Sequence, residues 1–337
     1  MKYGKVKEYE VSRVVLGTGS YGLSISDADG EELLKTYIEK GGNAIDTGNA
    51  YMNWVPGNVR SSSEKWLGKM LKANPGMREK LIICTKGAHY ETSDPRQTPR
   101  VNEGCITYDV EDSRKNMGVD KIDLYWLHRD NPTYPVYLIM DALFAAQDAG
   151  KIGHFGASNW SARRIIEANR YADSCNREGF FGSQTRFSFA IPLDAGGSML
   201  YFDEKQEGPA YIREKLDTFC YTSQAGGYIT KVVSGAELSP TRFKAVDCPT
   251  NRERAERAKV VAEQIGGGVS VEQVGLAYQY TLPYNIFAVV GCRNIAQLLD
   301  SVGSCDFDLT AEQIAFLGDD KIAPPLLPQI GIMPMIV

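Results

Sequence analysis

The segment IDLYWLH, residues 122–128, is the stretch from which the fold of this 337-residue chain can be argued. Its first six residues form a largely apolar run of strand length, and a histidine follows directly. Amphipathic stretches with helical periodicity lie on either side, at 102–117 and 136–149. A strand between two helices is the repeating unit of a protein with a parallel sheet.

The same alternation extends to both ends of the chain. Eight units of this kind close into a barrel, so the predicted fold class is α/β, a (β/α)8 TIM barrel in a single domain spanning residues 1–337. The rival is a doubly wound open sheet, but the GTGSYG run at 17–22 does not open a helix as a dinucleotide fingerprint would. The predicted strands are 14–17, 44–46, 81–85, 122–127, 152–157, 182–185, 218–221 and 287–290, and the predicted helices are 30–40, 63–71, 102–117, 136–149, 162–176, 211–215, 252–280 in two pieces and 295–302.

Composition excludes several classes of protein. With 43% hydrophobic and 23% charged residues, the chain suits a globular fold, and a net charge of −5 with scattered Lys and Arg predicts no nucleic-acid partner. No apolar run reaches the roughly 20 residues of a membrane span, and the polar N-terminus lacks a signal-peptide core, so we expect a cytoplasmic protein with no membrane partner. Seven widely spaced cysteines predict reduced thiols and no metal site. The oligomeric state stays open, as does the role of the apolar, proline-containing C-terminal tail, residues 323–337.

Four polar residues follow consecutive predicted strands. Asp46 ends the second strand, Tyr51 comes shortly after it, Lys86 follows the third strand and His128 follows the fourth. The carboxyl ends of barrel strands meet at one mouth, where barrel active sites lie. Because neighbouring strands are about 4.8 Å apart, side chains leaving their ends can form hydrogen bonds with one another. The spacing therefore predicts a catalytic site made of Asp46, Tyr51, Lys86 and His128.

These four residue types suggest one reaction. A phenol has a pKa of about 10, and a neighbouring ammonium such as that of Lys86 is expected to lower the pKa of Tyr51. Asp46 would hold Lys86 in place, and His128 would orient a carbonyl oxygen. Tyr51 would then protonate that oxygen as a hydride reaches the carbon, and the hydride must come from a cofactor. The expected partner is a small-molecule carbonyl or alcohol.

These residues are also where the sequence resembles the aldo-keto reductases. The family's Asp, Tyr, Lys and His are all present, and the resemblance extends from Val11 to about Leu317. It implies a barrel fold and a nicotinamide dinucleotide as cofactor, NADP (NADPH) being favoured and NAD being the alternative. The motifs that carry it are NAIDT at 43–47 with Tyr51, TKG at 85–87, DLYWLH at 123–128, GKI at 150–152 and GASNW at 156–160.

The resemblance assigns cofactor roles residue by residue. Ser158, Asn159 and Gln184 correspond to positions that bind the nicotinamide carboxamide, and Tyr221 corresponds to the aromatic residue that stacks on the ring. Arg293, before a predicted helix, fits a 2′-phosphate, since a guanidinium forms forked bonds to phosphate. The full predicted cofactor set is Gly17, Thr18, Gly19, Asp46, Ser158, Asn159, Gln184, Tyr221, Thr222, Ser223, Gln224, Lys231, Gly291, Arg293, Gln297, Asp300 and Ser301.

The chain departs from its relatives at Asp300 and Ser301, where many have Glu-Asn, so the prediction of NADP over NAD depends mainly on Arg293. The predicted substrate pocket comprises Tyr21, Trp54, His128 and Arg129, and the polar run at 129–131 suits a hydroxylated, sugar-like substrate. Two other functions stay open. One is a regulatory dinucleotide-binding protein on the same barrel, as in the potassium-channel β subunits of this family, and the other is a barrel enzyme that uses Lys86 as a Schiff-base lysine.

Overall fold

A closed barrel of eight parallel strands forms the centre of the computed structural model, which describes residues 1–193 and 199–318. Around the barrel the strand order is β10-β3-β4-β5-β6-β7-β8-β9, so strands that follow one another in the chain are neighbours. The ten described strands are β1 (Tyr3–Val6), β2 (Tyr9–Ser12), β3 (Val14–Gly17), β4 (Ala44–Asp46), β5 (Ile82–Gly87), β6 (Ile122–Leu127), β7 (Ile152–Ser158), β8 (Gly182–Arg186), β9 (Asp217–Tyr221) and β10 (Ile286–Val290).

Helices cover the outer surface of the barrel. The predicted barrel is confirmed, and each of its eight predicted strands agrees with the structure to within two residues. The helices in the described part of the chain are α1 (Asp27–Glu39), α2 (Ser62–Ala73), α3 (Glu103–Met117), α4 (Val136–Asp148), α5 (Ala162–Ser174), α6 (Gly208–Glu214), α7 (Tyr228–Val233), α8 (Pro240–Phe243), α9 (Pro249–Ile265), α10 (Val271–Gln279), α11 (Ile295–Gly303) and α12 (Ala311–Gly318), with a short 3₁₀ turn at Arg78–Lys80.

Some elements were not predicted from the sequence. The antiparallel hairpin β1–β2 precedes the barrel, and its Val6 and Val11 are buried in the same apolar cluster as the barrel interior. Helices α7, α8 and α12 were also missed. Helix α1 begins three residues before the predicted start, because the Ser26 side chain accepts a hydrogen bond from the backbone N–H of Asp29 and caps the helix.

The predicted C-terminal tail, residues 323–337, lies outside the described residues.

Strand alternation divides the barrel into an apolar interior and a polar mouth. Successive side chains of a strand point to opposite faces, so residues of equal parity share a face. On β6, Leu124 and Trp126 lie in the interior cluster, whereas Tyr125 and Leu127 pack outward against the helices. Trp126 packs against Phe181 with ring centroids 4.8 Å apart. The next residue of inward parity is His128, which therefore stands directly above the apolar core.

One close contact sets the distance between the first two helices of the outer layer, α1 and α2. A Cβ built on Gly30 of α1 would lie 2.8 Å from Cζ2 of Trp66 on α2. The Trp66 ring is 3% exposed, so it has little room to move. Gly30 is therefore required by the approach of the helix to the ring and not by its backbone conformation.

Within the two described ranges, no helix is long and apolar enough to cross a membrane. The cytoplasmic location stays a prediction from the sequence.

Candidate active site

Three of the four predicted catalytic residues are placed by strand parity. Asp46 is the last residue of β4 and lies beside Cys84 of β5, two residues before Lys86. His128 follows β6 and donates its backbone N–H to the carbonyl oxygen of Gly87 at 2.8 Å. Because all three side chains continue the inward faces of their strands, they meet at the mouth of the barrel.

The four side chains form one contact network. Lys86 Nζ donates to Asp46 Oδ2 at 2.6 Å and to the carbonyl oxygen of Thr47 at 2.7 Å. The Tyr51 hydroxyl donates to the same Asp46 Oδ2 at 3.2 Å, and Lys86 Nζ lies 4.6 Å from the centre of the Tyr51 ring. The rings of Tyr51 and His128 have centroids 5.8 Å apart at an angle of 76°. The structure thus brings together all four residues that the sequence grouped.

The electrostatics of Tyr51 differ from the expected arrangement. Burial raises the pKa of Tyr51 well above its usual value, and the Asp46 carboxylate that accepts its hydroxyl raises it further, whereas Arg129 acts in the opposite direction. The predicted lowering of the Tyr51 pKa is therefore wrong, because burial and the Asp46 carboxylate together raise it. Burial lowers the pKa of Lys86, which Asp46 opposes. In this site the phenol keeps its proton at neutral pH.

His128 is a neutral ring in the resting site. Burial lowers its pKa well below the usual value, and the charges of Arg129, His89 and Lys86 act in the same direction. The ring of His89 lies 4.6 Å from that of His128, and burial together with Arg129 lowers the pKa of His89 to about 4. An imidazole that is neutral at pH 7 can orient a carbonyl oxygen through an N–H without adding a full charge to the site.

A cleft of about 880 Å³ opens from these residues along the top of the barrel. It extends from Asp46 and Tyr51 to lining residues on helices α7, α10 and α11. Eleven residues of the predicted cofactor set line it: Gly17, Gly19, Asp46, Thr222, Ser223, Gln224, Lys231, Gly291, Arg293, Gln297 and Asp300.

The other predicted cofactor residues, Thr18, Ser158, Asn159, Gln184, Tyr221 and Ser301, do not line this cleft. Thr18 is wholly buried. Its hydroxyl donates to the carbonyl oxygen of Asp46 and contacts Ser63, so its side chain supports the chain segment that follows β3. The Ser301 hydroxyl accepts from Gln224 at 3.2 Å and donates to the backbone of Gln297, which places it behind the cleft wall. These two side chains position lining residues.

The predicted carboxamide-binding residues sit beside Asp46. Gln184 donates through Nε2 to Asp46 Oδ1 at 2.7 Å, while its Oε1 is buried with no hydrogen-bond partner in the described structure. Asn159 is more fully engaged, because its Oδ1 accepts from the Tyr221 hydroxyl at 2.7 Å and from the backbone N–H of Leu200. A buried carbonyl oxygen without a donor is costly, and a bound amide N–H would satisfy that of Gln184.

The structure also shows cleft residues that the sequence analysis missed. Arg242 of α8 lines the cleft, as do Thr230 and Glu272. No motif marks Arg242. Glu272 lies in the run SVEQ at 270–273, where a capping box formed by Ser270 and Gln273 starts α10, so local sequence indicates only a helix start.

The predicted substrate pocket is divided between two environments. Trp54 is 52% exposed, and its ring lies 6.4 Å from that of Tyr51. Arg129 donates to the carbonyl oxygen of His128 at 2.8 Å, and its guanidinium carbon lies 5.9 Å from the Tyr90 ring centre. Tyr21 is 1% exposed, packs against Trp66 and lines the same cleft as Asp46 and Tyr51.

The mouth of the barrel thus combines a buried lysine–aspartate pair, a protonated phenol and a neutral imidazole beside a cleft, an arrangement suited to proton transfer to a carbonyl oxygen. The family model described as the Aldo/keto reductase family matches residues 13–319. The chain therefore belongs to the aldo-keto reductases, and it is an oxidoreductase that acts on a small carbonyl or alcohol.

Curated relatives match most of the chain at low identity. An aryl-alcohol dehydrogenase (NADP⁺) of Phanerodontia chrysosporium is 25% identical and covers 89% of this chain and 78% of its own length. A norsolorinic acid reductase of Emericella nidulans is 28% identical, over 92% of this chain and 78% of that protein. An aldo-keto reductase of Emericella nidulans is 27% identical, over 91% and 77% of the two chains.

Proposed function

We propose that this chain is an NADPH-dependent carbonyl reductase in which Tyr51 is the proton donor. The observation that carries this proposal is the hydrogen bond from the Tyr51 hydroxyl to Asp46 Oδ2, two residues that line the 880 Å³ cleft. A phenol with a raised pKa holds its proton until a stronger base forms beside it. An alkoxide developing from a carbonyl is such a base, so Tyr51 acts as an acid in the direction of reduction.

The residues present fit a nicotinamide dinucleotide, which supplies the hydride when it is bound. Gln184 has a buried carbonyl oxygen that requires a donor, as the carboxamide offers. Lys231 and Arg242 both line the cleft, and their positive charges suit the phosphates of a dinucleotide. Arg293 lies at the start of α11, whose free backbone N–H groups also favour an anion, and this supports NADP over NAD. The relative named as NADP⁺-dependent agrees with this preference.

The chain's own groups then have distinct tasks. Lys86 and Asp46 form a buried ion pair that fixes the position of the phenol, His128 orients the carbonyl oxygen, and Tyr51 delivers the proton. We propose that these four act within a single domain and that Tyr221 and Asn159 shape the wall beside the nicotinamide. For the substrate, we propose a small aldehyde or ketone.

The substrate class has two candidates. A hydroxylated, sugar-like carbonyl is the one that the polar run at 129–131 favours, but Asp130 is paired with Arg164 at 3.5 Å. An aromatic carbonyl is favoured by the half-exposed ring of Trp54 next to Tyr51 and by the relatives named for aryl alcohols. Turnover of plain aromatic aldehydes alone would exclude the sugar-like candidate.

The proposal is tested by following the absorbance of reduced nicotinamide with a panel of aldoses, keto-sugars and aromatic aldehydes. NADPH and NADH are compared in wild type, Tyr51→Phe and Arg293→Ser. We expect Tyr51→Phe to reduce turnover by roughly 10²- to 10⁴-fold with nearly unchanged dinucleotide affinity, and Arg293→Ser to weaken NADPH selectively.

Other outcomes discriminate against the proposal. An unchanged rate in Tyr51→Phe would remove the assigned acid. Tight dinucleotide binding with a single slow turnover would support the regulatory alternative. Trapping of a borohydride-reduced adduct on Lys86 would support Schiff-base chemistry.

A further inference from the structure

We propose that His89 is a positioning residue whose ring holds the His128 imidazole in the orientation that contacts a carbonyl oxygen. This inference rests on the proposed reductase function. The rings of His89 and His128 have centroids 4.6 Å apart at an angle of 62°, whereas the Tyr51 ring lies 5.8 Å from that of His128. Edge-to-face contact is a favourable arrangement of aromatic rings. Of the two rings that contact His128 in the described structure, His89 is the closer.

No hydrogen bond holds the buried side of the His128 ring. Its Nδ1 is buried and has no hydrogen-bond partner within the described residues. In most histidines a hydrogen bond at one ring nitrogen sets which nitrogen is protonated. Here Nε2 is left as the nitrogen that can donate to a carbonyl oxygen, so the proton of the neutral ring has to be on Nε2. Because no bond at Nδ1 enforces this arrangement, ring packing has to hold it.

The His89 ring is itself anchored. Its Nδ1 lies 2.7 Å from the carbonyl oxygen of Tyr90, and the rings of these two residues have centroids 4.1 Å apart. A carbonyl oxygen can only accept, so Nδ1 carries the proton of His89. Burial and Arg129 lower the pKa of His89 to about 4, so the ring is neutral at pH 7. Its contact with His128 is therefore packing between two neutral rings.

The backbone before His89 is strained. Ala88 has a φ of 59°, in the left-handed region that residues other than glycine rarely adopt, and it is fully buried. Its N–H donates to Asp109 Oδ2 at 2.7 Å, and the buried Asp109 also accepts from Arg100. Such strain persists only where the surrounding structure enforces it, and it is concentrated at functional sites. A buried carboxyl group and its arginine partner thus hold the turn that leads into His89.

The first measurement is ¹⁵N NMR of the histidine side chains, without dinucleotide or substrate. The chain has three histidines, so single substitutions assign the imidazole signals to His89, His128 and His154. We expect His128 of the wild type at pH 7 to show one neutral tautomer, with the proton on Nε2. In His89→Ala the two His128 nitrogens should move towards averaged values, because the released ring can rotate and exchange its proton.

The second measurement is the kinetics of carbonyl reduction. His89→Ala should lower kcat by roughly ten- to a hundredfold, since a displacement of about 1 Å in a catalytic group can cost that much. The dissociation constant of the dinucleotide should stay the same, because His89 does not line the 880 Å³ cleft. His89→Phe keeps an aromatic ring, so it should keep kcat within about threefold of the wild type and preserve the single His128 tautomer.

His154→Gln is the matched control. His154 lies near the start of β7, where its ring nitrogens contact Glu8 and Glu178. Its loss should leave both kcat and the His128 signals unchanged, even if the protein becomes less stable.

Several results would overturn the inference. Two His128 tautomers in the wild type would do so without any variant, even if His89→Ala does not fold. A single His128 tautomer that persists in His89→Ala would remove the positioning role. Equal losses of kcat in His89→Phe and His89→Ala would show that ring packing is not what matters. Absence of turnover in the wild type would instead refute the proposed function, and the tautomer measurement would still decide whether His89 positions His128.

Discussion

The ammonium of Lys86 lies 2.6 Å from Oδ2 of Asp46, and the side chains are 2% and 1% exposed. A buried ion pair is held by mutual attraction against a large cost of desolvation, so its two members depend on each other. The same carboxylate oxygen accepts the Tyr51 hydroxyl at 3.2 Å. The buried ion pair and the proposed proton donor are therefore linked through one atom of the site.

Lys86→Met should leave a buried, unpaired Asp46. We expect the free energy of unfolding to fall by roughly 3–5 kcal/mol, the cost of breaking a buried pair. The double variant Lys86→Met with Asp46→Asn should recover most of that loss but no turnover, because the phenol has lost both of its partners. Urea unfolding and the reductase assay measure the two effects. Equal stabilities of the single and double variants would contradict the coupling.

The pH dependence of reduction should be flat on the alkaline side of neutrality. Because the pKa of Tyr51 is raised well above 10, the phenol remains protonated, and therefore able to donate, at every pH below that value. The pKa of His128 is lowered, so its neutral form also persists. We expect a kcat for carbonyl reduction that is constant from about pH 7 to pH 9, and a fall centred in that interval would show a lowered phenol pKa.

Gly30→Ala should destabilise the protein although alanine is the better helix former. The added Cβ would lie 2.8 Å from Cζ2 of the buried Trp66 ring. Overpacking of this kind costs about 1–3 kcal/mol, more than the roughly 1 kcal/mol gained in helix propensity. Gly104→Ala is the control, since the nearest atom, Asn102 Oδ1, is 3.7 Å away. Thermal unfolding should rank Gly30→Ala below wild type and Gly104→Ala at or above it.

Trp54→Ala should affect substrate affinity and not folding. The Trp54 ring is 52% exposed and stands 6.4 Å from the Tyr51 ring. An aromatic contact is worth about 0.5–1.5 kcal/mol, so KM for an aromatic aldehyde should rise by roughly two- to tenfold with little change in kcat. Val59→Ala, exposed in the same loop, should leave KM unchanged. A shift in the melting temperature would instead give Trp54 a structural role.

Sequence reasoning succeeded where one residue's environment follows from strand alternation. The apolar run before His128 predicted both a barrel strand and an inward-facing imidazole at its end, and the same logic placed Asp46 and Lys86. It failed for elements whose burial depends on distant parts of the chain. The hairpin β1–β2 is short and half polar, and it becomes ordered by packing beneath the barrel interior. Nothing local indicates that Arg242 or Glu272 reaches the cleft, since each lies on a helix between β9 and β10 and not at the end of a barrel strand.

By itself the sequence determined the eight-unit barrel and the group Asp46, Tyr51, Lys86 and His128, because strand periodicity and the common direction of parallel strands are local properties that bring strand ends to one mouth. Only the tertiary structure decided how these groups are charged. The Tyr51 hydroxyl is buried and donates to Asp46, so burial and this carboxylate raise the pKa of the phenol, which the sequence had predicted to be lowered. The sign of that shift depends on the burial of the phenol and on which charged group it contacts, and sequence spacing specifies neither.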